Sequence, residues 1–312
     1  MDKPVVLYIN HRNPHCGVQQ FGRKMYDVLE TTQRYTTHYI DIESEGEQNH
    51  WITALNPQII VWNYYTNATM PWMRPEIVDA QRAKGVKTVC LFHEVPIGLP
   101  FDMILHQDPT APREGNIRPL SRPIPVFNEY VEPTPFVSVG SFGFGLGGKG
   151  FDKIVEKVNN EFDTATIRLV IPFAAFGDAH GDGARSWISH CRAKITKPGI
   201  TLDVRHDLLP ETDLIRWLAS NTINCFFYDE NYGRGISGTV DYAIAAKRPF
   251  AITKSYQFQH IWKYNDTPVI GDRSLQQMID QPTDYIDYFA ELWSRNKLRD
   301  DFEAAFKELL HD

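Results

Sequence analysis

Short apolar runs bounded by turn residues alternate with helically spaced segments along most of the chain. In the first half, "VVLYIN" (5–10), "THYIDI" (37–42), "QIIVWNYY" (58–65) and "KTVCLFH" (87–93) each predict a strand. A helix is expected from about Val18 to Glu30, and "PEIVDAQRAKG" predicts another that ends at Gly85. Strands that alternate with helices in this way form βαβ units around a parallel sheet. Residues 107–135 break the rhythm. Their proline-rich "DPTAPREGNIRPLSRPIPVFNEYVEPTP" reads as the last loops and short strands of one unit, plus a linker.

The pattern then begins again. "FVSVGSFGF" (136–144), "ATIRLVIPF" (165–173), "ITLDVRHD" (200–207), "INCFFYD" (223–229) and "PFAIT" (249–253) predict strands. "KGFDKIVEKVNNEF", "GARSWISHCRAKI", "PETDLIRWLASN" and "SGTVDYAIAAK" predict the helices between them. Residues 284–310 have helical spacing with an aromatic stripe expected to face a core. The expected fold class is α/β: two Rossmann-like, doubly wound parallel-sheet domains facing across a cleft at the carboxyl ends of their strands. The expected boundaries are 1–132 and 133–285, with C-terminal helices over 286–312 packing back on the first domain.

Composition narrows the function. At 312 residues, 42% of them hydrophobic, the chain exceeds the size at which one core usually divides. A net charge of −7 argues against a general polyanion binder, but not against one phosphorylated small molecule met by a few local cations. No nucleic acid is expected as a partner. No apolar run is long enough for a membrane-spanning helix, and "MDKPVVLYIN" lacks the layout of a signal peptide. Cys16, Cys90, Cys191 and Cys225 form no CxxC pair and are expected to be small buried hydrophobes. The chain therefore reads as cytoplasmic.

Three glycine-containing turns stand at predicted strand-to-helix junctions: Gly17-Val18 after Cys16, Gly140 to Gly150, and "YGRGISGTVDYA" (232–243). A helix start presents free N–H groups, and glycine lets an anion approach the backbone. The same turns also serve simply to join strand to helix. The second turn lacks the Ser or Thr of a phosphate-binding P-loop after Gly148-Lys149. Lys149 reads either as a cation beside a backbone anion nest or as a solvated lysine at a helix start. In the third turn, Arg234 and Gly235 precede Ser237, Gly238 and Thr239. The hydroxyls there can cap a helix, whereas a guanidinium between two glycines suits a bidentate phosphate contact. Asp241 reads as an acceptor for a sugar hydroxyl or as an ordinary first-turn carboxylate.

These residues resemble the GT-B glycosyltransferases, most closely the GT4-like group that uses nucleoside-diphosphate sugars. Gly17-Val18 matches the glycine loop after the first strand of that family. "VGSFGFGLGGKGFD" matches the opening of its second domain, and "LLPETDLIRWLASNTINCFFYD" and "GISGTVDYAIAAKRPFAIT" match two later segments. Two positions depart from the family: Ser141 stands where an arginine is usual, and the two glutamates of its E-x7-E pattern would fall near Arg234 and near Asp241-Tyr242.

The resemblance implies metal-independent transfer of a sugar to an acceptor hydroxyl, with retention, and no cofactor beyond the nucleotide-sugar donor, with UDP or GDP as its nucleotide. It assigns donor contacts to Gly17, Val18, Ser141, Phe142, Lys149, Arg234, Gly235, Ser237, Gly238, Thr239 and Asp241. Lys149 and Arg234 would stabilise the departing diphosphate. His93 and Glu94, after the fourth strand, are the candidates for acceptor proton transfer; a structural hydrogen bond is the alternative for His93. His11, Asn63 and Tyr65 are candidates for the acceptor pocket. Trp72 reads as a sugar-stacking face or a buried aromatic. A glycan, a lipid-linked sugar or another hydroxyl compound would be the acceptor. Two other functions remain open at this point: a GT-B relative that epimerises or hydrolyses the sugar nucleotide, and a non-catalytic sugar-nucleotide-binding subunit.

Overall fold

The computed structural model describes residues 3–65, 69–93, 98–174, 177–230 and 235–311. They divide into two compact units: the first takes the described residues of 1–123 with Gly235 and 292–311, the second those of 124–230 and 236–291.

The first unit is built on a six-stranded sheet in which every strand pairs parallel to its neighbour. Its strands are β1 (Val5–His11), β2 (Thr36–Ile42), β3 (Ile59–Tyr64), β4 (Lys87–Phe92), β5 (Met103–His106) and β6 (Ile117–Pro119), in the order β2-β1-β3-β4-β5-β6. Alternate residues of β1 enter different cores. Val6 and Tyr8 join the layer with Met25 and Leu29 of α1 (Gly17–Leu29), whereas Leu7 and Ile9 join the layer with Ile52 of α2 (Glu45–Leu55) and Ile77 of α3 (Pro75–Arg82). Burial on both faces explains why these strands read as unbroken apolar runs.

Helix α2 is an element the apolar pattern does not announce. Only Gln48 and Ile52 of "EGEQNHWITAL" are buried, so it carries no apolar stripe. Its ends define it instead. Ser44 Oγ accepts the Glu47 amide at 3.2 Å, and Asn56 closes the helix in the left-handed region at φ 44°.

The second unit has a five-stranded parallel sheet of β7 (Ser138–Phe142), β8 (Ala165–Val170), β9 (Ile200–Arg205), β10 (Ile223–Phe226) and β11 (Phe250–Ile252), ordered β11-β10-β7-β8-β9. Its helices are α4 (Phe151–Glu161), α5 (Asp182–Ala193), α6 (Glu211–Ala219), α7 (Thr239–Ala245), α8 (Gln259–Trp262), α9 (Leu275–Asp280) and α10 (Asp284–Leu292). Val139, Ile167, Leu169, Cys225 and Ala251 share one core with residues of α4, α5 and α9. On the other face, Asn224 donates to the Leu218 carbonyl at 3.1 Å, and the Phe250 amide donates to the Tyr285 hydroxyl at 3.0 Å.

The last helix, α11 (Arg295–His311), belongs to the first unit. Leu298, Phe302, Phe306 and Leu309 enter the α1 core layer. Its polar side is tied by Arg118 to Glu308, by Arg34 to Glu303 at 2.8 Å, and by Ser121 Oγ to Asp301 at 2.6 Å. The aromatic stripe predicted for this region is buried: Tyr285, Phe289, Trp293, Phe302 and Phe306 are each 3% exposed or less.

Each sheet reverses its strand order once, between β1 and β3 in the first and between β7 and β10 in the second. Open parallel sheets bind ligands outside the carboxyl ends of the strands at such a reversal. Several apolar runs overshoot their strands for a related reason. "KTVCLFH" continues one residue past β4 and "INCFFYD" three past β10, and those extra residues leave the ladder at the carboxyl ends. Among the described residues no helix is long and apolar enough to cross a membrane.

Candidate functional site

In the second unit, the residues at the β7/β10 reversal come from the loop before α4, the end of β10 and the start of α7. Lys149 Nζ donates to the Tyr228 hydroxyl at 3.0 Å and lies 4.2 Å from the centre of its ring. The Tyr228 hydroxyl is 3.5 Å from Ser237 Oγ, which is 3.0 Å from Thr239 Oγ1. Burial pushes the Tyr228 phenol up, but the charge and hydrogen bond of Lys149, with Ser237 and Thr239, outweigh it and hold the group below its ordinary value. Neighbouring lysines are matched by carboxylates: Lys153 by Asp229, Lys157 by Glu161 at 2.7 Å, Lys194 by Glu156 at 2.9 Å. Among the described residues, no carboxylate pairs with Lys149.

The glycines around Lys149 serve the fold. A Cβ at Gly140 would lie 2.0 Å from Asn221 Nδ2, one at Gly145 would lie 2.6 Å from the Ala184 Cα, and one at Gly150 would lie 1.9 Å from the Phe227 carbonyl oxygen. Gly150 also starts α4 at φ 66°, a left-handed conformation. The bare backbone of this loop thus lets it pack against β10 and α5. At the start of α4, Asp152 already supplies a first-turn carboxylate. Beside this turn stand the Lys149 ammonium and the Ser237 and Thr239 hydroxyls. The Ser237 amide is taken by the Gln257 carbonyl at 3.0 Å.

In the first unit, the β1/β3 reversal carries a buried polar network. Asn63 Nδ2 donates to Asn10 Oδ1 at 2.7 Å and to the Val18 carbonyl at 2.9 Å, and Asn63 Oδ1 faces His93 Nε2 at 2.6 Å. Asn10 donates in turn to the Gln19 carbonyl at 2.9 Å and to the Tyr39 hydroxyl at 3.0 Å. The Val18 carbonyl only accepts, which fixes the Asn63 amide. The proton in the His93–Asn63 bond therefore sits on Nε2, and Nδ1 keeps the lone pair. Burial, then the positive Arg122 and the nearby His11 and His106, push the His93 imidazole down to about 3. Such a ring is neutral throughout the physiological range but too weak a base to hold a proton from an alcohol. In this environment the ring serves as a hydrogen-bonding partner of Asn63.

The other residues singled out in the sequence are placed as follows. Gly235 belongs to the first unit and lies against the end of β4, where a Cβ would be 2.0 Å from the His93 carbonyl oxygen. Gly17 is exposed with open space where a side chain would be, and Val18 is half-buried. His11 is buried; its Nδ1 accepts the Asn13 amide at 3.4 Å, and its Nε2 is enclosed without a partner. Tyr65 sets its ring edge-on to His93, 6.5 Å away. Phe142 meets the rings of Phe226 and Tyr242, and Asp241 is 3% exposed.

Three further candidates are wholly or partly enclosed. Asn63 is fully enclosed and its amide wholly committed, so it shapes the site instead of contacting an acceptor. Trp72 is partly buried against the core of α2 and α3, with its indole N–H enclosed. Ser141 is fully enclosed in β7, its hydroxyl without a partner, and so out of a ligand's reach. Glu94 and Arg234 lie outside the described residues. Sequence reasoning passed over Asn10 and Tyr228 because each closes an apolar run and reads as part of a strand. Position at a strand's carboxyl end was the available signal. Among the described residues no three His, Cys, Asp or Glu side chains gather in a metal-binding cluster.

No protein-family model matches the chain, and no curated protein matches it in sequence. Solved structures do match it in fold. A glycosyltransferase from Rickettsia africae ESF-5 superposes with a TM-score of 0.67 at 12% identity, covering 99% of both chains. HepE of Anabaena, solved with UDP and glucose, gives 0.66 at 9% identity over 98% of this chain and 100% of its own. An α,α-trehalose-phosphate synthase (UDP-forming) from Burkholderia xenovorans, solved with glucose-6-phosphate, gives 0.64 at 12% identity over 98% and 100%. The chain shares the fold of these proteins, two parallel-sheet α/β units of the GT-B type.

Proposed function

We propose that the protein is a glycosyltransferase that takes a sugar from a nucleoside diphosphate and passes it to an acceptor hydroxyl. The observation that carries this reading is the Lys149 ammonium, held at a strand-order reversal by the Tyr228 phenol, whose hydroxyl also faces Ser237, with no described carboxylate to neutralise it. A cation so placed suits the β-phosphate of a departing nucleoside diphosphate, whose charge grows as the glycosidic bond breaks. In this reading Lys149, Ser237 and Thr239 hold the diphosphate, Arg234 adds a second charge, and Asp241 takes a hydroxyl of the nucleoside. The whole-chain likeness to enzymes solved with UDP or a sugar phosphate supports the same class of ligands. No resident metal is invoked, because the lysine supplies the countercharge.

On the acceptor side, His93 Nδ1 accepts a hydrogen bond from the attacking hydroxyl and aligns it, with Tyr65 beside it. The acceptor proton leaves with the departing diphosphate, the base that the reaction itself supplies.

Thermal melting with UDP, GDP, ADP and their sugars identifies the nucleotide, because a ligand specific for the native state raises the transition. The donor found in this way is then incubated with and without sugars and sugar phosphates. Donor loss only with an acceptor is the expected result. Equal loss without an acceptor would mean hydrolysis, and no shift with any nucleotide would refute the reading.

A further inference from the structure

The exposed aromatics Tyr130 and Phe136, the shallow groove between α2 and α3, and the enclosed His11 ring each lack a feature that identifies a ligand. Tyr228 is different. It is 2% exposed, yet it stands two residues past the end of β10 with its hydroxyl on the one lysine of this cluster that lacks a described carboxylate. It is also held firmly. Its ring packs on the fully buried Phe258 with centres 4.7 Å apart, and its carbonyl accepts Thr253 Oγ1 at 2.6 Å. Nothing in the core requires a polar atom there, so phenylalanine would satisfy the packing alone. The hydroxyl instead joins Lys149 to the Ser237–Thr239 pair.

We propose that Tyr228 is a positioning residue of the diphosphate site: ring and hydroxyl hold the Lys149 ammonium in place, and loss of the phenol proton switches the site off. This inference rests on the reading of Lys149 as a diphosphate ligand. An ammonium has three N–H donors, of which Tyr228 takes one, leaving two for an anion. The Tyr228 ring face lies against the ammonium, 4.2 Å from its centre. While the phenol is neutral, Lys149 seeks an anion. Once ionised, the phenolate is that anion, and the site no longer attracts phosphate.

Lys149 is the charged group acting on the phenol. Asp229 is taken by Lys153, Glu230 accepts the Tyr256 amide at 3.3 Å, Lys254 lies over the Trp262 ring, and Asp241 sits in α7. The sign follows. Lys149 holds the free phenol below its ordinary value, a bound diphosphate opposes ionisation, and so affinity falls as pH rises through the phenol's range.

The test is calorimetric titration of metal-free UDP into the whole chain, Tyr228→Phe, Lys149→Ala and the double variant, between about pH 7 and 9.5. At neutral pH, Tyr228→Phe is expected to weaken UDP by about fivefold, and by less than about 1.5-fold when Lys149 is already alanine. Over the alkaline range, the unsubstituted chain is expected to lose at least about threefold in affinity and Tyr228→Phe less than about half as much. A measurement free of substitutions is ultraviolet difference absorbance at alkaline pH, where adding UDP should remove tyrosinate signal. Lys149→Ala weakening UDP while Tyr228→Phe behaves as the parent would overturn this inference alone. Failure of the unsubstituted chain to bind UDP or any other nucleoside diphosphate would overturn the reading beneath it.

Discussion

The two strand-order reversals carry opposite kinds of polar site. At β1/β3, the Asn10, Asn63 and His93 side chains meet one another and nearby carbonyls, and the Asn63 amide is fully used. At β7/β10, Lys149 has a phenol for company and no carboxylate among the described residues. The first arrangement spends its hydrogen-bonding capacity on its own geometry. It fixes one imidazole tautomer and presents a single lone pair. The second leaves charge uncompensated, at a cost in stability that a bound anion would offset. A closed network orients, whereas an open charge binds. The two should therefore respond differently to substitution.

The sharpest contrast should come from truncating the closed network. Asn63→Ala removes the partner of His93 Nε2, Asn10 Oδ1 and the Val18 carbonyl at once. Each stranded buried group costs about 1–3 kcal/mol, so urea denaturation is expected to show a loss of about 3 kcal/mol or more. Less than about 1 kcal/mol would mean that the network is looser than its distances imply. Gly235→Ala tests the same region from outside, because its new methyl would meet the His93 carbonyl. Backbone that must move for an overpacked methyl costs about 1–3 kcal/mol.

Acid should also find the closed network first. His93 is depressed to about 3 in the folded protein and titrates near 6.5 when unfolded, so the unfolded chain binds the extra proton between those values. Stability is then complete above about pH 6.5 and declines toward about pH 3, with His93 contributing at most about 1.4 kcal/mol per pH unit. His11 and His106, also lowered by burial, add to the same limb. Urea midpoints from about pH 7 to 4.5 should show His93→Gln declining less steeply than the parent. Parallel slopes would remove His93 as a buried neutral ring.

The smallest effect on stability is expected at the open charge. Lys149 stands on a loop and makes one hydrogen bond, so Lys149→Ala should change the unfolding free energy measured in urea by no more than about 0.5 kcal/mol. A large destabilisation would place Lys149 with the structural residues and dissolve the comparison.

The architecture was legible in the sequence because βαβ repetition leaves a strong trace. Strands buried on both faces appear as apolar runs, and α1, α4 and α11 bury clear apolar faces. Helix α2 escaped because its identity lies in Ser44 and Asn56 at its ends and not in a stripe. The site was legible only in part. Lys149 and the Ser237–Thr239 turn were visible as motif residues, but Tyr228 was concealed inside "INCFFYD", where only the strand's end at Phe226 separates core from site. Asn63 and Trp72 had suitable chemistry for a pocket, but one is consumed by hydrogen bonds and the other packs part of its ring on the core. Neither fact has a signature in local sequence.

The central claim is that Lys149 marks an anion site for a nucleoside diphosphate. Calorimetric titration of UDP, with GDP and ADP as alternatives, into the parent and Lys149→Ala at low salt and without metal tests it most directly. The account predicts measurable binding by the parent for one of these nucleotides, weakened about 10- to 100-fold by the substitution, as expected for loss of a charged hydrogen bond of about 1.5–3 kcal/mol. Equal affinity in the two proteins, or binding by neither, would contradict it.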